Sequence, residues 1–220
     1  IQTLANYCKT APEVAISDLN WGRLTPWRQL LVQFFDIPAY LPFLAGIEKI
    51  EIEHASAPLN ASRQRVQAQG EGSPNPNSAL LLAGWLNTRL NLALAEQGRK
   101  QHDTGHGSYQ WLLQSQTGSR QALTHIQPHT SVDLLPGSIS LVRLTCQAEG
   151  KQAIFTIKRD NNTDYVLTSV ETAQDTRPMR TVQLPTRHKA SDLLRNEMEI
   201  MGHDQPFEQA LQEVGKLLAG

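Results

Sequence analysis

Ser138-Ile-Ser-Leu-Val-Arg-Leu-Thr-Cys-Gln147, Gln152-Ala-Ile-Phe-Thr-Ile-Lys-Arg159, Tyr165-Val-Leu-Thr-Ser-Val-Glu171 and Met179-Arg-Thr-Val-Gln-Leu184 follow one another as four strand-like runs. Turn formers separate them: Ala148-Glu-Gly150, Asp160-Asn-Asn-Thr-Asp164 and Asp175-Thr-Arg-Pro178. Asn, Asp and Gly tolerate the backbone conformations that tight reversals need, so the stretch reads as an antiparallel meander. Upstream, Gly46-Ile-Glu-Lys-Ile-Glu-Ile-Glu-His54 sets Ile50 and Ile52 against Glu51 and Glu53, the alternation of a half-buried strand. Asn75-Pro-Asn-Ser78 then predicts a helix start, with the helix running to about Gln97 and Gly98 as its stop. Leu80 to Leu86 is apolar almost all round, which predicts a buried central helix. Gly84 costs that helix about 1 kcal/mol relative to Ala, pointing to close packing against another backbone. Tyr109–Gln114 reads as a strand parallel to the first, because strand–helix–strand crossovers are normally parallel. Gln121–Gln127 reads as its hairpin partner.

Downstream of the meander, Ser191–Met201 reads as a helix stopped by Gly202. Asp204 caps a final helix with Phe207, Ala210, Leu211, Val214, Leu217 and Leu218 on one stripe. The expected class is α+β: a mixed, mostly antiparallel sheet packed with helices, a strand–helix–strand unit followed by the meander and two C-terminal helices. The polar loops at 55–75 and 99–108 are candidates for disorder or partner contact.

The chain has 220 residues, 40% hydrophobic and 19% charged, with a formal net charge of −1. That is enough to bury a substantial core, and it gives no general electrostatic reason to bind nucleic acid or an anionic membrane. No run approaches the roughly 18 apolar residues of a membrane span. The first residue is Ile1, and residues 1–16 lack the apolar core of a signal peptide, so the sequence reads as a fragment of a longer cytosolic, soluble protein.

Residues 17–36 are rich in anchors and poor in chemistry. Thr25 reads as a helix cap with Pro26 at the first helical position, and Trp27, Leu30, Leu31, Phe34 and Phe35 recur at helical spacing. Asp36-Ile37-Pro38 closes the element. Asp18-Leu-Asn-Trp-Gly-Arg-Leu-Thr-Pro-Trp-Arg28, followed by Leu30-Leu-Val-Gln-Phe-Phe-Asp36, resembles the signature of the OpcA family, the glucose-6-phosphate dehydrogenase assembly proteins. Ala79-Leu-Leu-Leu-Ala-Gly-Trp-Leu86 is a second matching block. Strong resemblance covers 17–50 and 77–92, and residues 100–220 agree in general layout. Such proteins are non-catalytic partners that bind and allosterically activate the dehydrogenase of the oxidative pentose phosphate pathway, and they have been linked to its thiol control. The resemblance therefore implies glucose-6-phosphate dehydrogenase as partner, thioredoxin as a further candidate, and no cofactor. It also implies that 17–220 is a C-terminal OpcA-like domain, with 1–16 a linker or a remnant of a preceding domain.

The candidate partner-binding residues are Trp21, Arg23, Arg28, Arg177, Arg180 and Arg187. Trp and Arg are enriched at binding hot spots, and Trp21, just ahead of the predicted helix, reads as an exposed ring able to contact another domain or protein, whereas Trp27 belongs on the apolar stripe. Arg177, Arg180, Arg187, His188 and Lys189 form a basic cluster that suits an acidic partner surface or a sugar phosphate, the alternative being a solvated strand edge protected by charge. The rival function is a sugar-phosphate-binding or enzymatic domain using this cluster. His102, His106, His125 and His129 read as solvated loop residues rather than a metal set, because Gly105, Gly107 and Pro128 argue against the helix that an i,i+4 chelate needs. Asp160–Asp164 lacks the glycine and distal glutamate of a calcium loop. No nucleophile elbow, dinucleotide fingerprint or phosphate loop is present. Cys8 and Cys146 read as structural thiols.

Overall fold

The computed structural model describes residues 1–10, 13–56, 75–95, 107–115, 120–160, 164–173, 175–184, 190–199 and 202–219. The loops at 57–74 and 96–106, His102, His106, Gly98, Arg187, His188 and Lys189 lie outside the described residues. The strands are Ile47–Ser56 (β1), Leu92–Leu94 (β2), Tyr109–Ser115 (β3), Gln121–Thr130 (β4), Ile139–Ala148 (β5), Lys151–Arg159 (β6), Tyr165–Thr172 (β7) and Asp175–Gln183 (β8). They form one sheet in the order β2-β3-β4-β1-β5-β6-β7-β8. The helices are Gln2–Thr10 (α1), Leu19–Phe35 (α2), Leu41–Leu44 (α3), Asn77–Arg89 (α4), Ala190–Glu199 (α5) and Gln205–Ala219 (α6). The α+β class and the meander are as expected. Its first reversal is a two-residue loop in which Glu149 (φ 51°) and Gly150 (φ 72°) both take the positive φ of a type I′ turn.

Four local expectations are corrected. β3 is antiparallel to β4, and the parallel neighbour of β1 is β4, with Ile50 opposite Thr124. The hairpin partner slots between β1 and β3, and the strand that the crossover delivers is the three-residue β2 at the sheet edge. α4 accordingly ends at Arg89, not near Gln97: Leu90 N still donates to Leu86 O, and Asn91 then turns left-handed at φ 55°. Leu90–Leu94 is too short and too apolar for its period to separate helix from strand.

α2 begins at Leu19 rather than at Pro26, because Asp18 is the true cap, its Oδ1 accepting from Asn20 N at 2.7 Å. Pro26 sits inside the helix, where it removes one backbone donor. The stripe Trp21, Leu24, Trp27, Leu30, Leu31 and Phe34 is buried on both sides of it and carries the helix through. Finally, Asp175–Pro178 is strand, not turn. Pro178 is tolerated because β8 is an edge strand, and its pairing with Ser169 coincides with a register shift.

Helices cover one face of the sheet. Phe155 of β6 is ringed by Phe34, Phe35, Tyr40 and Phe43, with centroids 5.1–6.0 Å away. Ile50, Ile52, Val142, Leu144 and Ile157 are buried beside it. α4 is buried from Ala79 to Asn87, as its all-round apolar character predicts. A Cβ on Gly84 would stand 2.5 Å from Ala210 O and 2.7 Å from Val214 Cγ2, so glycine is what lets α4 and α6 touch. Trp111 of β3 donates its Nε1 to Leu217 O at 3.2 Å, tying α6 to the sheet. α1, within the 1–16 segment, packs on α6, where Ala5 is buried against Gly215.

Candidate functional site

α2 organises the residues that stand out in its sequence. Arg23 Nη1 donates to Asn20 Oδ1 and Arg28 Nη2 donates to Thr25 Oγ1, each at 2.8 Å, pairs that helical i,i+3 spacing brings together. Trp21 is packed, not exposed: it is 2% accessible, its ring centroid lies 5.6 Å from that of Phe207, and its Nε1 donates to Asp204 Oδ2 at 2.7 Å. The Arg28 guanidinium lies over the same ring, 3.6 Å from its centroid. Trp21 thus acts from beneath, holding Arg28 at the surface.

Arg28 lines a groove of about 640 Å³ with Gln29, Val32, Gln33, Trp85 and Arg89. Val32 is 51% exposed there, in the middle of an otherwise well-packed helix. Arg180 of β8 donates its Nη1 to Gln33 Oε1 at 2.8 Å, and Gln33 lines both the Arg28 groove and a neighbouring pocket that Arg180 lines. Arg177 is exposed farther along β8, opposite Val170. Arg23 lines a different, smaller cavity of about 190 Å³. The structure therefore links Arg180 to the Arg28 groove through Gln33, and sets Arg23 apart.

Of two further residues, one is legible as a helix cap and the other escapes a reading of the sequence by motif. Asp204 caps α6, its Oδ1 accepting from Phe207 N at 3.0 Å, and its second oxygen also holds Trp21. Arg159 is 7% exposed at the end of β6, on the buried face after Ala153, Phe155 and Ile157. The period-2 pattern alone would have placed an arginine in the core. Its Nη1 donates to Leu184 O at 2.7 Å, and its Cζ lies 5.9 Å from the Trp27 ring centroid. Burial pushes this guanidinium below its usual range, only partly offset by Asp164.

The sulfur chemistry is subdued. Cys146 is fully buried and free, and burial pushes its thiol up to about 12, so it stays protonated and unreactive at neutral pH. Cys8 is also free, partly buried, its thiol raised by burial and then by Glu208. Among the described residues no three His, Cys, Asp or Glu side chains gather as a metal site, and no helix is long and apolar enough to cross a membrane. A larger cavity of about 1110 Å³ at the start of β5 and the end of β6 mixes Glu53, Asp133, Asp160 and Asp164 with Arg143, Lys158 and Arg159.

Residues 14–211 match the family described as the OpcA-type C-terminal domain of the glucose-6-phosphate dehydrogenase subunit. The chain belongs to the OpcA family. The match extends the likeness from residues 17–50 and 77–92 over the meander and into the last helix. The OxPP cycle protein OpcA of Nostoc punctiforme is 23% identical over 198 residues, covering 90% of this chain and 39% of that protein. The OpcA of Synechocystis sp. is 32% identical over 76 residues, 34% of this chain and 12% of that one. The chain thus spans less than two-fifths of the OpcA relatives it matches. Crystal structures of two variants of KijD10, a 3-ketoreductase from Actinomadura kijaniata, share the fold at TM-scores of 0.53 and 0.51. Identity to them is 10% and 9%, with 99% of this chain and 65% of those chains covered, a likeness of architecture alone.

Proposed function

We propose that this chain is a non-catalytic, cytoplasmic subunit region that docks on glucose-6-phosphate dehydrogenase and activates it allosterically. Membership of a family described by that enzyme's subunit is the observation that carries the reading. A partner activates only by preferring one conformation of the enzyme, typically with a coupling of about 1–3 kcal/mol. The contact surface in this reading is the groove of Arg28, Gln29, Val32 and Gln33, extended by Arg180 and Arg177 of β8 and, beyond them in sequence, by Arg187. An exposed aliphatic residue flanked by arginines suits an apolar patch rimmed with carboxylates.

Thioredoxin, as a second partner, would find Cys8 the more accessible thiol, because Cys146 is sealed in the sheet. The rival sugar-phosphate reading is not favoured at Arg177 and Arg180, which are exposed on an edge strand, Arg180 being engaged by Gln33. Mixing the purified chain with the dehydrogenase and sizing the mixture tests the reading. Co-migration, weakened by Arg28→Ala with Arg180→Ala, is expected. Separate elution at micromolar concentrations would contradict it.

A further inference from the structure

Arg159 and Arg23 meet around one cavity. It lies between the first half of α2, the start of α4 and the end of β6, and its volume is about 190 Å³. Asn20, Arg23, Trp27, Asn75, Ser78 and Arg159 line it with residues 135–139. Two guanidiniums and no carboxylate form this lining. A buried charge is normally paired, because desolvation without compensation is costly. Arg159 is more than nine-tenths buried, its Nη1 donating to the Leu184 carbonyl at 2.7 Å and its charge opposed in part by Asp164, while its buried Nε meets no acceptor. Burial holds its guanidinium below the usual range, and Asp164 offsets this only in part.

Two features of the backbone add to this. At the start of α4 Asn75 Oδ1 accepts from Asn77 N at 3.2 Å, and the first helical bond runs from Leu80 N to Pro76 O at 2.8 Å, with Ser78 between them lining the cavity. Helix starts of this kind present N–H groups and a positive dipole end. Next to that helix start, Gly137 (φ +87°) allows the loop to lie against Asn75, since a Cβ there would stand 2.7 Å from Asn75 O. Donors therefore converge from three elements on a space too small for a drug-sized ligand.

We infer that this cavity binds a phosphoryl group, either inorganic phosphate or the head of a small phosphate monoester, with Arg159 and Arg23 as the charged donors and the start of α4 as the neutral one. A tetrahedral oxyanion presents oxygens toward all three elements, and guanidiniums pair with phosphate bidentately. Phosphate binding here is independent of docking on the dehydrogenase.

Phosphorus NMR and thermal melting of the chain, with inorganic phosphate and methyl phosphate as probes, test it against acetate and against chloride at matched ionic strength. A saturable rise in melting temperature and a broadened phosphorus resonance are expected, and the tighter probe identifies the source. Arg159→Gln should weaken binding roughly tenfold. If that variant does not fold, Arg23→Gln and Asn20→Asp decide, each expected to weaken binding by a similar factor. No response beyond chloride, an equal response to acetate, or undiminished binding in both Arg23→Gln and Asn20→Asp would overturn the assignment.

Discussion

Asp204 Oδ2 accepts the indole N–H of Trp21 at 2.7 Å, while its other oxygen caps α6 at Phe207 N. One carboxylate therefore joins the start of the last helix to the first turns of α2, across 183 residues of sequence. Arg28 closes the arrangement from above.

Removing that carboxylate should be costly for its position. Asp204→Ala loses a cap of about 0.5–2 kcal/mol and leaves a buried indole donor unpaired, a further 1–3 kcal/mol or so. Trp21→Ala should cost about 3–5 kcal/mol by emptying a core site. Urea unfolding of each variant measures these losses. A Trp21→Ala midpoint equal to wild type would place the ring outside the core.

Gly84→Ala separates helix propensity from packing. In a free helix the change gains about 1 kcal/mol, but here the new Cβ would meet Ala210 O at 2.5 Å. Overpacking of this kind costs typically about 1–3 kcal/mol, so a net loss of stability is expected. Leu82→Ala, in the same helix and fully buried, should lose about 2–5 kcal/mol. Calorimetric melting of both variants checks the seam, and a stabilised Gly84→Ala would mean that α4 and α6 stand farther apart.

Much of this seam is legible in the sequence, because Gly84 inside an apolar helix signals close approach and the final helix displays its stripe openly. The boundaries are less so. Thr25-Pro26 imitates a helix start so well that it hides Asp18, whose capping is visible only once the buried stripe is seen to run through Pro26. β2 is invisible because Leu92–Leu94 has no period of its own and is fixed by pairing with Leu113–Ser115. At the candidate site, single residues are legible and their grouping is not. Arg180 reaches Gln33, beside the Arg28 groove, through tertiary packing, and no local pattern encodes that.

Cys146 gives the fold an alkaline weakness. Its folded-state thiol titrates at about 12 against 9.0 unfolded, so its contribution is fully present below pH 9 and is lost as pH rises toward 12. In that window the unfolded chain binds fewer protons, and stability falls by up to about 1.4 kcal/mol per pH unit from this residue. Melting temperatures of wild type and Cys146→Ala across the alkaline range should converge as pH rises. Parallel curves would contradict the buried thiol.

The role proposed for this chain is to grip glucose-6-phosphate dehydrogenase and shift its conformational balance. Substrate saturation of the dehydrogenase, recorded with and without saturating chain, reads that shift itself. A KM for glucose 6-phosphate lowered by roughly 5–150-fold is expected, the range of a coupling of about 1–3 kcal/mol, with the shift reduced by Arg28→Ala plus Arg180→Ala. An unchanged saturation curve, with the complex demonstrably formed, would refute the role.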